Sequence, residues 1–554
     1  MSNSKLINNM KKNLKSDYIT YAFLSIYLII GLSIYKDFGI GIEEHFQRKS
    51  GFYWLNYFLE FTNFDLLKNS AQEKYNQIKT IANLVDIETH LNYGILFDFP
   101  MALFETIFNF EGKSVFESRH LVNFLIFFIS GIYFFKIIKI RFNNSLISLV
   151  GVFIYLLLPK SFGSSFFDSK DLFFLSILTI NYYFYVKFEI NRNKLNLFYF
   201  ALFSAFSTSS RIFGLIVPIS FIIIEFFYLI NAKSLKRVKF TIIYLLFFIF
   251  SLFIHWPYLW MLVADFNYYL EPFSVRSDLK VLFDGFYYNS QNLPIIYIPK
   301  LIFFSTPILI VILFSLGFLY ILKRIYIRII NIKSDDFKQD LWRGLKEKID
   351  LFFLLNISII LFHYFSFYPN LYGGWRHYIF INFFISFFSV YGFYTSLNYL
   401  NINTKKIIYT IMLFFLSNLI YNLYKYHPYQ SYYFNNLVDE NSKINFQIDT
   451  QSLSRVDALE FILKNSQNKN KIFISTASWT PLEDAKYFID KNNWNKLVFL
   501  GTSNTNNADY IYSNHFYEVD ININNKYKIP SNFSILKELN IDGSRIYTIY
   551  KRTN

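Results

Sequence analysis

The sequence predicts a mostly α, polytopic membrane helix bundle followed by a small soluble α/β domain, and three observations predict it. Apolar residues make up 53% of the 554 and arrive in long uncharged runs rather than alternating patterns, which is how a bilayer-spanning helix reads. The formal net charge of +15 sits mostly in short connections between those runs, the positive-inside pattern of a membrane protein. Beyond residue 423 the composition turns abruptly to Asn, Asp, Lys and Ser, as expected of a segment that returns to water.

About eleven spans are expected, at residues 18–35, 121–135, 146–158, 172–186, 195–206, 212–230, 240–254, 295–322, 351–365, 378–397 and 407–423. The first follows a basic tail (Lys5, Lys11, Lys12, Lys15) but has no small-residue cleavage site, so it is read as a retained span and not as a signal peptide. Lys136, Lys139 and Arg141, then Lys187, Arg192 and Lys194, then Lys233, Lys236, Arg237 and Lys239, then the stretch 323–348, then Lys405 and Lys406 fall in alternate connections. That side is expected to be cytoplasmic. Residues 1–17 then form a cytoplasmic tail and 18–423 the membrane domain, with a long first outer loop at 36–118, while 424–554 form an extracytoplasmic α/β domain. The setting implied is a multi-pass plasma (inner) membrane protein. In the tail, 456–463 and 481–489 read as helices, and 471–475, 496–500, 510–513 and 545–550 as strands.

Composition also excludes. Basic charge spread through membrane connections gives no reason to expect a nucleic-acid partner. The absence of cysteine rules out disulfides and thiolate metal sites. Phe (70) and Tyr (45) are abundant, but Asn, Ile and Lys are too, so an AT-rich coding bias accounts for the aromatics as well as function does. Neither a nucleotide-binding glycine fingerprint nor an inverted repeat is visible.

The polar motifs gather in the outer connections. The first outer loop opens with Glu43 and Glu44 beside His45, and a carboxylate there can take the proton of an attacking hydroxyl. Two adjacent like charges are expected to raise the proton affinity of at least one; the pair also reads as a solvated acidic turn. The loop continues through Asp86, Glu88, His90, Tyr93-Gly94, Asp98 and Glu117 to Arg119 and His120. Such interleaved carboxylates and histidines allow a divalent cation, or interfacial salt bridging. Arg119 and His120 cap the second span where a lipid phosphate would lie. Asp168, Lys170 and Asp171 precede the fourth span, where a helix entrance favours anions and where Asp168 or Ser169 would equally serve as a cap. Arg211 breaks the apolar sequence between the fifth and sixth spans; it is suited to bidentate phosphate binding or to snorkelling. Glu225 inside the sixth span reads as paired with a neighbouring helix. His255, Trp256, Tyr258 and Trp260 form an aromatic belt. Tyr297 lies in a Pro-punctuated entry to the eighth span, and Gly373-Gly374-Trp375-Arg376-His377 offers glycines beside a cation and ring systems fit to clamp a sugar and a phosphate.

Five blocks in this order resemble bacterial members of the protein-mannosyltransferase-like (dolichyl- or polyprenyl-phosphate-sugar dependent) GT-C glycosyltransferases, including relatives that move aminoarabinose. They are the loop start at Glu43 and Glu44, Arg119-His120-Leu-Val-Asn123, Phe162-Gly163 with Lys170-Asp171, Gly373 to His377, and His427-Pro428-Tyr429-Gln430 with Tyr433-Phe434-Asn435. The resemblance spans residues 37–458 and implies a GT-C-like bundle, a polyprenyl-phosphate sugar donor, and a glycan, lipid or protein acceptor. Glu43 matches the family's catalytic acid, although that family usually carries Asp-Glu where this chain has Glu-Glu. Lys170, Arg211, Arg376 and His377 are the expected phosphate contacts. The rivals are a transporter or flippase for lipid-linked glycans, an envelope scaffold, and a GT-C-like ligase with a different donor. A transporter would place its charges near the bilayer midplane.

Overall fold

The computed structural model describes residues 3–79, 92–232, 235–264, 278–330, 342–467 and 469–553. Seven helices among them are long and apolar enough to cross a membrane: Asp17–Ile34, Ser114–Phe142, Arg237–His255, Ile308–Ile330, Gly344–Phe367, Arg376–Asn398 and Ile402–Lys425. An eighth crossing is a bent pair, Ser145–Leu157 and Pro159–Phe167, meeting at 56°. The protein is therefore a multi-pass membrane protein. The three remaining expected spans are helical too, at Asp171–Ile190, Lys194–Ser210 and Ile216–Ala232, but each is too short or too polar to meet the same standard. The helix Asp171–Ile190 carries Asn181, Thr179 and Glu189 because it is enclosed by other helices and hardly meets lipid.

Local sequence sets the helix ends. Asn144, Asn193 and Asn401 each accept a backbone N–H three residues on, at 3.1, 2.8 and 2.9 Å, the usual device for starting a helix after a loop. Pro159 opens the second arm of the bent pair, since a proline has no N–H to continue the first. Asn123, from the helix Ser114–Phe142, donates to the Ser165 carbonyl at 2.9 Å in the last turn of that arm. Pro307 splits the expected eighth span into Tyr297–Ser305 and Ile308–Ile330. Asn435 donates to the freed carbonyls of Phe303 and Thr306 at 2.7 and 2.8 Å, so irregular backbone at membrane depth is satisfied from within the protein.

The layering follows from burial. The helix window in Arg376–Asn398 is 83% buried, against 17% for Arg237–His255 and Ile402–Lys425, so the first is central and the other two face outward. Ile308–Ile330 lies against it backbone to backbone, because Gly317 and Gly392 meet where a side chain would strike the carbonyls of Phe388 and Leu313. On the side of the basic connections, the charges are paired. Arg141 grips Asp350 with two bonds of 2.6 Å, joined by Arg324 at 2.8 Å. Glu225, as expected, pairs with neighbouring helices through Arg192 and Arg237.

The first long connection is more structured than a loop. It holds the helices Glu44–Leu59, Asp65–Lys79 and Asp98–Ile107. At the other end of the chain, five strands form one sheet: β3 (Ile472–Thr476), β4 (Leu497–Phe499), β5 (Tyr510–Ser513), β6 (Phe533–Ile541) and β7 (Ser544–Arg552), in the order β4-β3-β5-β7-β6. The strands β1 (Lys280–Phe283) and β2 (Phe286–Asn289) make a separate antiparallel hairpin. The expected helix at 456–463 is present as Arg455–Lys464, and 481–489 contains a tighter 3₁₀ turn, Leu482–Phe488. Neither the hairpin nor β6 was expected, because their exposed faces interrupt the apolar alternation. The apolar core runs without interruption from Leu24 in the first helix to Ile549 in β7.

The glycine contact sets a test. Gly392→Leu overpacks two backbones in contact and should cost about 1–3 kcal/mol, read as a lower melting temperature of the purified protein, whereas Gly344→Ala, which meets open space, is limited only by its positive φ.

Candidate functional site

Glu43 ends an extended segment that runs from the first membrane helix to the helix Glu44–Leu59. Two cations meet its carboxylate. The Arg376 guanidinium donates to Oε1, and Lys170 Nζ lies 3.5 Å from Oε2. Arg376 reaches there because Gly373 and Gly374 adopt φ of +68° and +71°, values only glycine takes without strain. The turn they make delivers Trp375 inward, where its indole N–H donates to Ser305 Oγ at 2.8 Å, and leaves Arg376 over the Tyr372 ring. Lys170 arrives at the entrance of the enclosed helix Asp171–Ile190 and also lies 3.8 Å above the Tyr93 ring.

Burial alone would raise the Glu43 pKa, but Arg376, Lys170 and His377 outweigh it and hold the carboxyl well below its usual range. The expectation that at least one of the two adjacent acids would be raised by the other is not met at Glu43, where the cations dominate. The reason is that Glu44 points elsewhere: its Oε1 accepts the Gly41 N–H at 2.7 Å and meets His120 Nε2 at 3.1 Å. The two carboxylates therefore do not face each other. Lys170 in turn lowers the Tyr93 phenol against the opposing effect of burial.

Glu43 and Lys170 line a narrow cleft together with Gln47, Ser50, Tyr93, Asp98, Ser169 and Ser210. Phe46, Phe97 and Phe173 complete the wall. Burial pushes the Asp98 carboxyl up to about 6 despite its partner Arg119. Arg211 sits beside this group, paired with Asp171. Asp168 caps the helix entrance by accepting the Asp171 N–H at 2.9 Å, and burial pushes it, too, up to about 6. Ser169 donates to Gln47 Oε1.

The structure thus brings Glu43, Lys170, Arg211, Arg376 and His377 together from four distant stretches of sequence. Arg119 and His120 lie one step back, bonded to Asp98 at 2.5 Å and to Glu44. Tyr297 is buried, its ring 5.0 Å from that of Phe283. Of the groups considered for a divalent cation, Asp86, Glu88 and His90 lie outside the described residues, Asp98 is taken by Arg119, and Glu117 faces Lys113 at 3.5 Å. Among the described residues no group of three or more such side chains is arranged to hold a metal. Sequence reading left Gln47, Ser50 and Ser210 out of the site. They are small or neutral, and only the spacing of Gln47 and Ser50 on one helix face as Glu44–Leu59 leaves the membrane surface could have signalled two of them.

A second, apolar groove of about 1020 Å³ lies between the helices Tyr297–Ser305, Ile308–Ile330, Gly344–Phe367 and the start of Asn382–Asn398. Ile302, Phe314, Phe318, Ile357 and Leu361 line its length, and Tyr378, two residues from Arg376, stands at its rim.

The Glu43–Arg376 pair should show a coupling energy of about 0.5–3 kcal/mol in a double-mutant cycle of Glu43→Gln and Arg376→Met read by thermal melting. Because the folded-state pKa of Glu43 is depressed, its share of stability is present above the unfolded value of about 4.3 and is lost as pH falls through the lower folded value. Arg376→Met should flatten that acid-side slope.

No family model matches the chain, and no curated protein matches it. Among solved structures it is similar to ArnT from Cupriavidus metallidurans bound to undecaprenyl phosphate, at 8% identity and a TM-score of 0.46, over 95% of this chain and 98% of that one. It is similar to the apo state of the same protein at 8% identity and a TM-score of 0.46, over 96% and 98%.

Proposed function

We propose that the chain is an inverting GT-C-type glycosyltransferase that moves a sugar from a polyprenyl-phosphate donor to an acceptor on the extracytoplasmic side. The observation that carries this reading is a carboxylate, Glu43, that meets both Arg376 and Lys170 at a cleft, with Tyr378, two residues from Arg376, lining an apolar groove. A lipid phosphate needs both halves: cations for the head and an apolar furrow for the tail. Three further buried nitrogens near the carboxylate, Arg376 Nε, Arg211 Nε and His377 Nδ1, have no hydrogen-bond partner among the described residues. Buried polar atoms are normally satisfied, and a phosphate would satisfy these.

In the proposed reaction Glu43 accepts the proton of the acceptor hydroxyl while that oxygen bonds to the anomeric carbon. The bond from that carbon to the phosphate oxygen breaks on the opposite face, and the departing polyprenyl phosphate keeps the electron pair. Arg376, Lys170 and Arg211 stabilise its added negative charge, which makes a separate general acid unnecessary. In the empty site Glu43 is a weak base because the same cations serve it. A phosphate entering among them divides their field and adds a negative neighbour, so donor binding raises the proton affinity of the base it is about to need. Glu44 acts one step removed, by anchoring the Gly41 N–H and so the turn that aims Glu43. In this reading the basic connections lie in the cytoplasm, and the cleft and the C-terminal sheet lie outside.

Transfer from radiolabelled polyprenyl-phosphate sugars by the purified protein tests the proposal. Glu43→Gln should lower kcat by about 10²–10⁴-fold while undecaprenyl phosphate still binds; full transfer by this variant would remove Glu43 from the mechanism. Lys170→Met should move the acidic limb of kcat/KM to higher pH, since it removes a charge that keeps Glu43 ionised.

A further inference from the structure

The segment that carries Glu43 is held largely by the far end of the chain. The Ile42 N–H donates to the Gln451 carbonyl at 2.9 Å. Two residues earlier, the Ile40 carbonyl accepts from Arg455 Nη2, also at 2.9 Å, across 415 residues of sequence. Between these two bonds Gly41 is fixed from the opposite side by Glu44. Gly39 lies so close to the Leu453 carbonyl that a side chain there would collide with it. The backbone on both sides of Gly41 is therefore clamped.

The clamp is rigid at its other end. Arg455 is 1% exposed, and its remaining donors reach the Ser452 carbonyl at 3.0 Å, the Pro481 carbonyl at 3.2 Å and the Asp484 carboxylate at 2.8 Å. Asp449, at the start of the same turn, is fully buried and accepts from Tyr432 at 2.6 Å, the Leu453 N–H at 2.9 Å and Ser454 Oγ at 2.6 Å. From this turn Thr450 Oγ1 also reaches the Gly373 carbonyl at 3.4 Å, which belongs to the glycine pair that delivers Arg376. One turn of the C-terminal region thus touches both the segment bearing the carboxylate and the segment bearing its cation.

We propose that Arg455, working through the turn 449–452, is a positioning residue of the site: it sets where Glu43 stands relative to Arg376. Its effect on transfer rests on the function proposed above, but its effect on geometry does not. An arginine that merely stabilised the sheet would change melting without changing the electrostatic surroundings of residue 43.

The chain has no cysteine, so Glu43→Cys places a single thiol between Arg376 and Lys170 in the full-length protein. The pH midpoint of its alkylation by iodoacetamide reports how closely those cations approach, since a nearby cation stabilises the thiolate and lowers the midpoint below the free value of about 8.5. In this background Arg376→Met should raise the midpoint. Arg455→Met should raise it by about 1 unit, with Arg455→Lys restoring part of the shift. If Arg455→Met does not fold, Asp484→Asn, which loosens Arg455 and leaves its bond to Ile40 in place, decides the matter by a smaller shift in the same direction. An unchanged midpoint in a folded variant overturns the proposal. With the native Glu43, Arg455→Met should lower kcat for polyprenyl-phosphate sugars by about 10²-fold with donor KM nearly constant; a change in KM alone would overturn the positioning role. Failure of the wild type to transfer any such sugar would defeat the proposed function yet leave the thiol midpoint to judge Arg455.

Discussion

The structure depends on keeping one carboxylate among cations in a place where water is scarce. A buried charge without a partner is among the most expensive features a protein can contain. Glu43 avoids that cost only because Arg376 and Lys170 are brought to it from other ends of the sequence. Each of the three depends on an irregular piece of backbone: an extended run before Glu43, the entrance of an enclosed helix for Lys170, and a double-glycine turn for Arg376. The regular helices supply a frame stiff enough to hold these pieces still.

That frame is built to tolerate irregularity. Where Pro307 breaks a helix, Asn435 returns hydrogen bonds to the stranded carbonyls. Where the central helix meets its neighbour, glycines remove side chains so that backbones touch. The first device satisfies irregular backbone, and the second lets two helices approach closely.

Much of this was legible in the sequence, and what was not has physical causes. Long apolar runs located the membrane helices, because length and hydropathy are local properties. The stretch from Gly373 to His377 stood out because a glycine pair beside Arg has few uses in an apolar chain. That Glu43 is not the acid raised by its neighbour cannot be read locally, because it depends on which way Glu44 turns, and that is decided by a bond to Gly41 and by His120, which is 76 residues away. Gln47 and Ser50 carry no charge to draw notice. Arg455 was invisible for a different reason: in a polar tail one arginine looks like any other, and only the fold shows that this one reaches the Ile40 carbonyl.

The joining of residue 40 to residue 455 also bears on how such a chain comes into being. A polypeptide is inserted into its membrane from the first helix onward, so the segment bearing Glu43 emerges early and waits for most of synthesis without the carbonyl and guanidinium that will seize it. A product truncated before the turn at 449 can hold every membrane helix and still have its acid unaimed. The backbone before Glu43 is thus completed only once the turn at 449–455 has been made.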